Sequence, residues 1–376
     1  MKKNLFLAAL AGVALVGCAK NEVAQVTDDS QKEISFAAPV VAPVTKAGYY
    51  TTENLGTGTV SFNVFGWYCE GSGTFDPSSA VPYMGTGTAD EINSPVTVSY
   101  NSGNKDDINS GTAGYWAPTT PYYWPKNGKL TFSAYAPASA SSHGTLSDNR
   151  ATGLKFTNYQ VQDIDAQYDL LYSLRTFDRT SSTEGTNNDI YDGVELTFCH
   201  ALSAIEPIKV YTNGAGIRIK EINLKNVYNT GSFSQNMTSG HDDANEDRAW
   251  TSWDNEVDYC LFKAASDAEY YTVTNTSSPV TKCKNAIVMP QALNHSTTNN
   301  KVTIEVKYQI QHGSAYLDQV FTQELNGLTD TSSNVVASWN IGMRYTYTLV
   351  FDLNDIYFAP QVEVWDNVTM GGITIK

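Results

Sequence analysis

The sequence predicts an all-β protein, two β-sandwich domains behind an N-terminal export segment, and three observations carry that prediction. The first is period-2 alternation: in Val302-Thr303-Ile304-Glu305-Val306-Lys307-Tyr308-Gln309-Ile310 every even position is apolar and every odd one polar, the pattern of a strand with one face in a core and one in water. The second is composition. Aromatic residues make up 12% and charged residues only 17% of the 376, and chains rich in Tyr, Thr, Asn and Ser favour sheets over helices. The third is punctuation: short apolar runs alternate with stretches dense in Gly, Ser, Thr, Asn and Asp, as in a sandwich of many short strands.

The elements follow in order. Lys2 and Lys3 precede an apolar run from Leu5 to Val16, too short for the roughly 20 residues of a membrane-spanning helix and suited to the apolar region of a secretory signal. Leu15-Val16-Gly17-Cys18 then looks like a bacterial lipobox, with Cys18 as the lipid-attachment residue and residues 1–17 as the signal peptide. Residues 18–46 read as a tether carrying one short strand, Ile34-Ser35-Phe36, set apart by Pro39 and Pro43. Further strands are expected at Val60–Trp67, around Leu130, Phe132 and Ala134, at Leu196–Ile205, along Tyr345, Tyr347, Leu349, Phe351 and Leu353, and at Val362–Trp365. Between Ile217/Ile219 and Ile222/Leu224 the apolar phase slips by one at Lys220-Glu221, which one extra residue in a β-bulge would restore. Loops are expected at 70–79, 101–114, 139–149, 180–188, 229–245 and 266–278. The polar run 179–192 marks a domain boundary, giving sandwiches at 47–189 and 190–376, each of ordinary domain size.

Charge bounds the partners. With 39 acidic and 24 basic residues the formal net charge is −15, which argues against nucleic acid. Without Cys18, four cysteines remain: Cys69, Cys199, Cys260 and Cys283. Cys260 and Cys283 are the first pair to test as a disulfide, with four buried thiols as the equal alternative.

Catalytic and metal motifs are absent: the sequence has no G-x-S-x-G, no phosphate-cradling loop, no H-E-x-x-H and no C-x₂-C pair. It therefore assigns no catalytic residue, no metal and no cofactor. His200 shares parity with Leu196, Phe198 and Leu202 and is expected inside a core, bonded to backbone; the other four histidines are expected in solvated loops. The acidic run Asp242–Asp247 lacks calcium-loop spacing and reads as a solvated charge run. Tyr115, Trp116, Tyr122, Tyr123 and Trp124 form an aromatic cluster. Tyr115, Trp116 and Tyr122 are the candidates for stacking on glycan rings, against a packing role for all five.

Several of these pieces also stand in a telling order. Tyr123-Trp124-Pro125, then Leu130-x-Phe132-x-Ala134-Tyr135-x-Pro137, Asp169-Leu170-Leu171-Tyr172, Leu196-x-Phe198-x-His200-x-Leu202, Met289-Pro290-Gln291 and Trp339-x-x-Gly342-x-x-Tyr345-x-Tyr347 together resemble the fimbrillin-like family of Bacteroidales type V pilins and pilus-associated lipoproteins. The resemblance runs from about residue 34 to the C-terminus, and Cys18 followed by Lys20 and Glu22 resembles the surface lipoproteins of the same bacteria. It implies two transthyretin-like β-sandwich domains, motifs with structural roles, and no enzyme activity. It further implies a palmitate-bearing lipoprotein of the outer membrane, surface-exposed and found in the fimbrium once processed. Its partners would be other pilus subunits through strand addition, the membrane through the lipid, and surface glycans or proteins in adhesion.

In the family that the chain resembles, a trypsin-like protease removes the leader with the first strand, and the emptied groove takes a donor strand. Here Ile34-Ser35-Phe36 is the candidate first strand, and Lys46 with Ala47 the candidate processing point. The sequence departs from cleavage after arginine, having none between Cys18 and Asn149. The segment Gly371–Ile375 reads as a last strand, either intramolecular or donated. A monomeric lipoprotein binding glycans through its aromatics is the alternative reading.

Overall fold

The computed structural model describes residues 33–37, 39–41, 55, 58–102, 115–180, 193–214, 216–235, 248–296, 298–352 and 356–364. The described residues are almost entirely β, arranged as packed sheets, as the sequence predicts.

The first sheet has nine strands. Along its main path lie Val40–Val41, Thr197–His200, Leu171–Ser173, Lys129–Ala136, Phe62–Cys69, Val96–Asn101 and Tyr115–Pro118. Its two central strands are buried on both faces and split their side chains by parity. Phe62, Val64, Leu130, Phe132 and Ala134 fall on one side, and Phe65, Trp67 and Tyr135 on the other.

The second sheet also has nine strands, built around the 18-residue strand Ile217–Ser234. On one side that strand pairs with Thr303–His312 and Gly153–Gln160; on the other it pairs with Ala249–Lys263 and Tyr271–Thr272. A six-stranded third sheet centres on Met343–Phe351.

Three apolar cores result. One, with Ile219, Leu224, Ile304, Val306, Tyr347 and Leu349, lies between the third sheet and the first half of Ile217–Ser234. A second, with Trp67, Tyr135, Phe156, Tyr172, Phe233 and Trp250, lies between the first sheet and the second half of that strand. The third occupies the other face of the first sheet. The long strand thus serves two cores, and Thr197–His200 pairs with Leu171–Ser173, so strand pairing crosses the expected 189/190 division. Residues 181–192 lie outside the described residues.

The bulge expected at Lys220-Glu221 is present: Ile219 pairs with Tyr308, and Glu221 then pairs with Lys307, one residue being skipped. Three loop expectations are corrected, one of them at 266–278, where Tyr271–Thr272 pairs with the long strand. Residues 229–234 continue the long strand, and Thr145–Asn149 is a strand paired with Gly153–Gln160. In these last two cases polar residues with a loop-like composition are buried in the paired strand, Asn229 in the long strand and Ser147 and Asp148 in the hairpin strand.

The motifs define corners and contacts between sheets. Asp169 and His200, from two of them, meet inside the protein with Nδ1 2.6 Å from Oδ2. His200 therefore takes a carboxylate as its partner rather than the expected backbone group. The Gln291 side chain completes a ladder: its Nε2 donates to the Tyr228 carbonyl and its Oε1 accepts from the Tyr228 N–H. Trp339 Nε1 donates to the Tyr347 hydroxyl at 3.0 Å, and the Tyr345 hydroxyl accepts the Asn340 N–H at 2.8 Å and donates to the Ser338 carbonyl at 3.1 Å. Gly342, at φ +66°, makes the turn between them.

Candidate functional site

The segment 33–41 joins the two ends of the first sheet. Phe36 bridges Trp116 in antiparallel sense on one side and Val194 in parallel sense on the other. The hydrogen bonds alternate as in an interior strand: Ile34 N–H donates to the Tyr122 carbonyl at 2.7 Å and Phe36 N–H to the Trp116 carbonyl at 2.8 Å. Ala37 N–H donates to the Val194 carbonyl at 3.0 Å, and Val194 N–H returns a bond to the Ser35 carbonyl at 2.9 Å. Val40 and Val41 continue in parallel with Thr197 and Phe198. From Phe36/Val194 to Val40/Thr197 the segment uses one residue more than its partner, and Pro39 lies in that stretch.

The side chains explain why these residues sit here. Ile34, Phe36 and Val41 are each 1–2% exposed and pack among Phe62, Phe132, Phe198, Trp116, Trp124 and Val194. The Phe36 ring stands edge-on to Phe62 and Phe132, centroids 5.9 and 5.7 Å away. Burying a side chain of this size contributes about 1.5–3 kcal/mol relative to leaving it in water. Without the segment, Tyr115–Pro118 and the strand of residues 194–200 would both become edges with unpaired N–H and C=O groups, and the apolar core between them would face water.

Gly193 shapes the groove sterically. A Cβ there would lie 2.6 Å from the Ala37 nitrogen and 2.7 Å from the Phe36 Cα. Its nearest neighbours all belong to the inserted segment, so the absence of a side chain is what lets the two backbones meet.

The other residues singled out by sequence are placed as follows. Cys18, Lys46, Ala47, the acidic run 242–247 and Gly371–Ile375 lie outside the described residues. Trp116 is buried, its ring against Phe62 and Tyr100, so it forms the groove wall rather than a stacking platform. Tyr115 and Tyr122 are half-buried. Tyr115 lines a cavity of about 260 Å³ with Glu33, Ser99 and Asn101, whereas Tyr122 packs against the groove core. Cys260 and Cys283 are free thiols, as is Cys69. Burial pushes the Cys283 thiol up to about 12.

His295 corrects the expectation of a solvated loop histidine. It is buried and stacked on Tyr228 at 3.9 Å, with Nδ1 2.7 Å from Glu256 and Nε2 3.1 Å from Gln291. Burial acts to raise the Glu256 carboxyl, but hydrogen bonds from Thr298, His295 and Asn300 outweigh it and hold the group below its ordinary 4.5. Both ring nitrogens of His295 are committed to these contacts. Sequence reasoning also missed Asp148, buried at 0% exposure, which accepts Trp67 Nε1–H at 2.6 Å and pairs with Arg175 at 2.9 Å, tying the first sheet to the second.

A family model described as fimbrillin-like matches residues 75–365. The chain belongs to the fimbrillin-like family. This fimbrillin-like chain is 22% identical over 402 aligned positions to the fimbrium subunit Fim1C of Phocaeicola vulgatus, with the whole of both chains covered. Its fold is similar to that of a fimbrial protein from Bacteroides vulgatus, with a TM-score of 0.56 at 17% identity over 89% of this chain and 99% of that one.

Proposed function

We propose that this protein is a structural fimbrial subunit, exported as a lipoprotein through Cys18 and assembled by donor-strand exchange, and that the segment 33–41 is the strand exchanged. The observation that carries the reading is the insertion of that segment between Trp116 and Val194, because a piece so placed closes two sheet edges at once. Its removal would leave a linear acceptor with hydrogen-bonding partners on both sides and an aromatic floor, the features by which an added strand is held. Lys46 lies five residues beyond Val41, so a cut between Lys46 and Ala47 would detach the segment from the body while leaving the groove walls untouched. Before processing, the lipid on Cys18 would hold the subunit at the outer membrane. Several acyl chains on one residue give stable attachment where a single chain does not.

Family membership and likeness to Fim1C support the fimbrial reading. The buried position of Trp116 favours the fimbrial reading over the glycan-stacking alternative. Electron microscopy of the producing cells with antibody to this chain tests the reading: labelled filaments are expected, and label confined to the membrane surface in the presence of unlabelled filaments would overturn it.

A further inference from the structure

The geometry points to a ligand site on the outer face of the first sheet: a cavity that takes one neutral sugar ring and has the start of the segment 33–41 as one of its walls. The site belongs to the chain with that segment in place and does not rest on the strand-exchange reading.

Strand parity separates this site from the groove. Val98, Trp116, Ile34 and Phe36 belong to the third core, and the residues that alternate with them fall on the opposite face of the sheet. There Ser99 pairs with Ala117 and Asn101 with Tyr115 across two neighbouring strands, and Glu33 joins them from the inserted segment. A cavity of about 260 Å³ lies among these five residues, lined also by Pro118, Thr119 and Pro121. Its polar walls are set before any ligand arrives. Asn101 Nδ2 donates to the Ser99 carbonyl at 3.2 Å, and the Ser99 hydroxyl lies 2.8 Å from that of Ser61.

Size and chemistry select the ligand. The space equals that of roughly nine liquid waters, enough for a single hexose ring and below the roughly 300 Å³ at which pockets for larger ligands begin. Glu33 is the one charged residue among the described residues that line it. With no cation in the wall and a net charge of −15 on the chain, an anionic sugar is disfavoured. What remains suits a neutral sugar: a carboxylate and an amide for the ring hydroxyls, and the Tyr115 ring with Ala117 and two prolines for the C–H face. Trp116, turned into the core, takes no part. Because Glu33 and Ile34 both line the cavity, opening the segment dismantles the site, and a bound sugar therefore holds the segment in place.

Saturation-transfer NMR on the full, uncut chain tests the site. The neutral probes are the methyl glycosides of glucose, galactose and mannose; glucuronate is the anionic probe and butylamine the cationic one. At least one neutral probe is expected to receive saturation. Glu33→Gln keeps the shape of the side chain and should weaken that probe about tenfold by removing a charged acceptor. Trp253→Ala, at an exposed ring on another strand, should leave it unchanged. Silence from all three neutral probes, glucuronate bound as tightly as they are, a response to butylamine alone, or a signal undiminished in Glu33→Gln would each overturn the proposal. Hydrogen exchange on the unsubstituted chain supplies the second measurement. With the responding probe at about ten times its Kd, the Ile34 and Phe36 amides should exchange about tenfold more slowly, while those of Thr303–His312 stay unchanged. Binding without that slowing would overturn the segment's place in the wall.

Discussion

The Phe36 ring stands edge-on to the Phe132 ring, centroids 5.7 Å apart and planes at 84°, so a residue from the N-terminal segment is anchored on a central strand of the first sheet. Truncating it to Phe36→Ala removes the largest apolar group the segment inserts, at an expected cost of about 3–5 kcal/mol to the segment's attachment. Hydrogen exchange should show faster exchange at the Ile34, Phe36 and Ala37 amides. The hairpin of Thr303–His312 and Ala315–Glu324, which shares no contact with Phe36, should be unchanged.

Arg175 and Asp148 form a buried ion pair, with side chains 1% and 0% exposed. Removing one partner of such a pair costs about 3–5 kcal/mol because the other charge stays buried. Arg175→Met should therefore lower the urea midpoint strongly. Adding Asp148→Asn should recover part of the loss, since it removes the stranded charge and keeps an acceptor for Trp67 Nε1–H. A double variant no more stable than Arg175→Met alone would contradict this account of the pair.

The Glu256 carboxyl is held below its ordinary 4.5 in the folded protein by hydrogen bonds that outweigh its burial. A depressed carboxylate contributes stability at pH above its unfolded value and loses that contribution as pH falls through its folded one. Urea midpoints should consequently decline from about pH 5 downward, and Glu256→Gln should make that decline shallower. An unaltered slope in the variant would assign the acid sensitivity to other groups.

Trp116 is a wall of the groove, packed 5.3 Å from Phe62. Trp116→Ala should destabilise the first sheet by about 3–5 kcal/mol, whereas Tyr115→Ala, at a half-buried position, should cost much less. Thermal melts of the two variants distinguish a packing residue from a ligand platform. Near-equal melts would contradict the wall assignment.

How much of this was legible in the sequence depended on whether a strand has one wet and one dry face. Thr303–His312 alternates in burial, and its alternation marked it beforehand. Ala249–Lys263 did not announce itself, because residues 251–255 are exposed throughout and its pairing with Ile217–Ser234 shifts register three times. Ala315–Glu324 is an edge strand exposed along most of its length and was missed for the same reason. The Lys220-Glu221 bulge was readable because it displaces a run of buried isoleucines and leucines by one position.

The groove was half legible. Ile34-Ser35-Phe36 carries a strand pattern of its own, but its partners Trp116, Tyr122 and Val194 are 80 or more residues away, and nothing local specifies such pairings. His295 was misread because its burial comes from Tyr228 and Gln291, contributed by other elements of the fold.

The central claim is that residues 33–41 occupy a groove that must be vacated for assembly. Purified chain cut between Lys46 and Ala47, followed by light scattering and by mass spectrometry of the assembled fraction, tests it directly. The account predicts polymers formed only by the cut chain, built of subunits beginning at Ala47 and lacking residues 33–41. Polymers that retain residues 33–41, or a cut chain that releases the segment and stays monomeric, would contradict it.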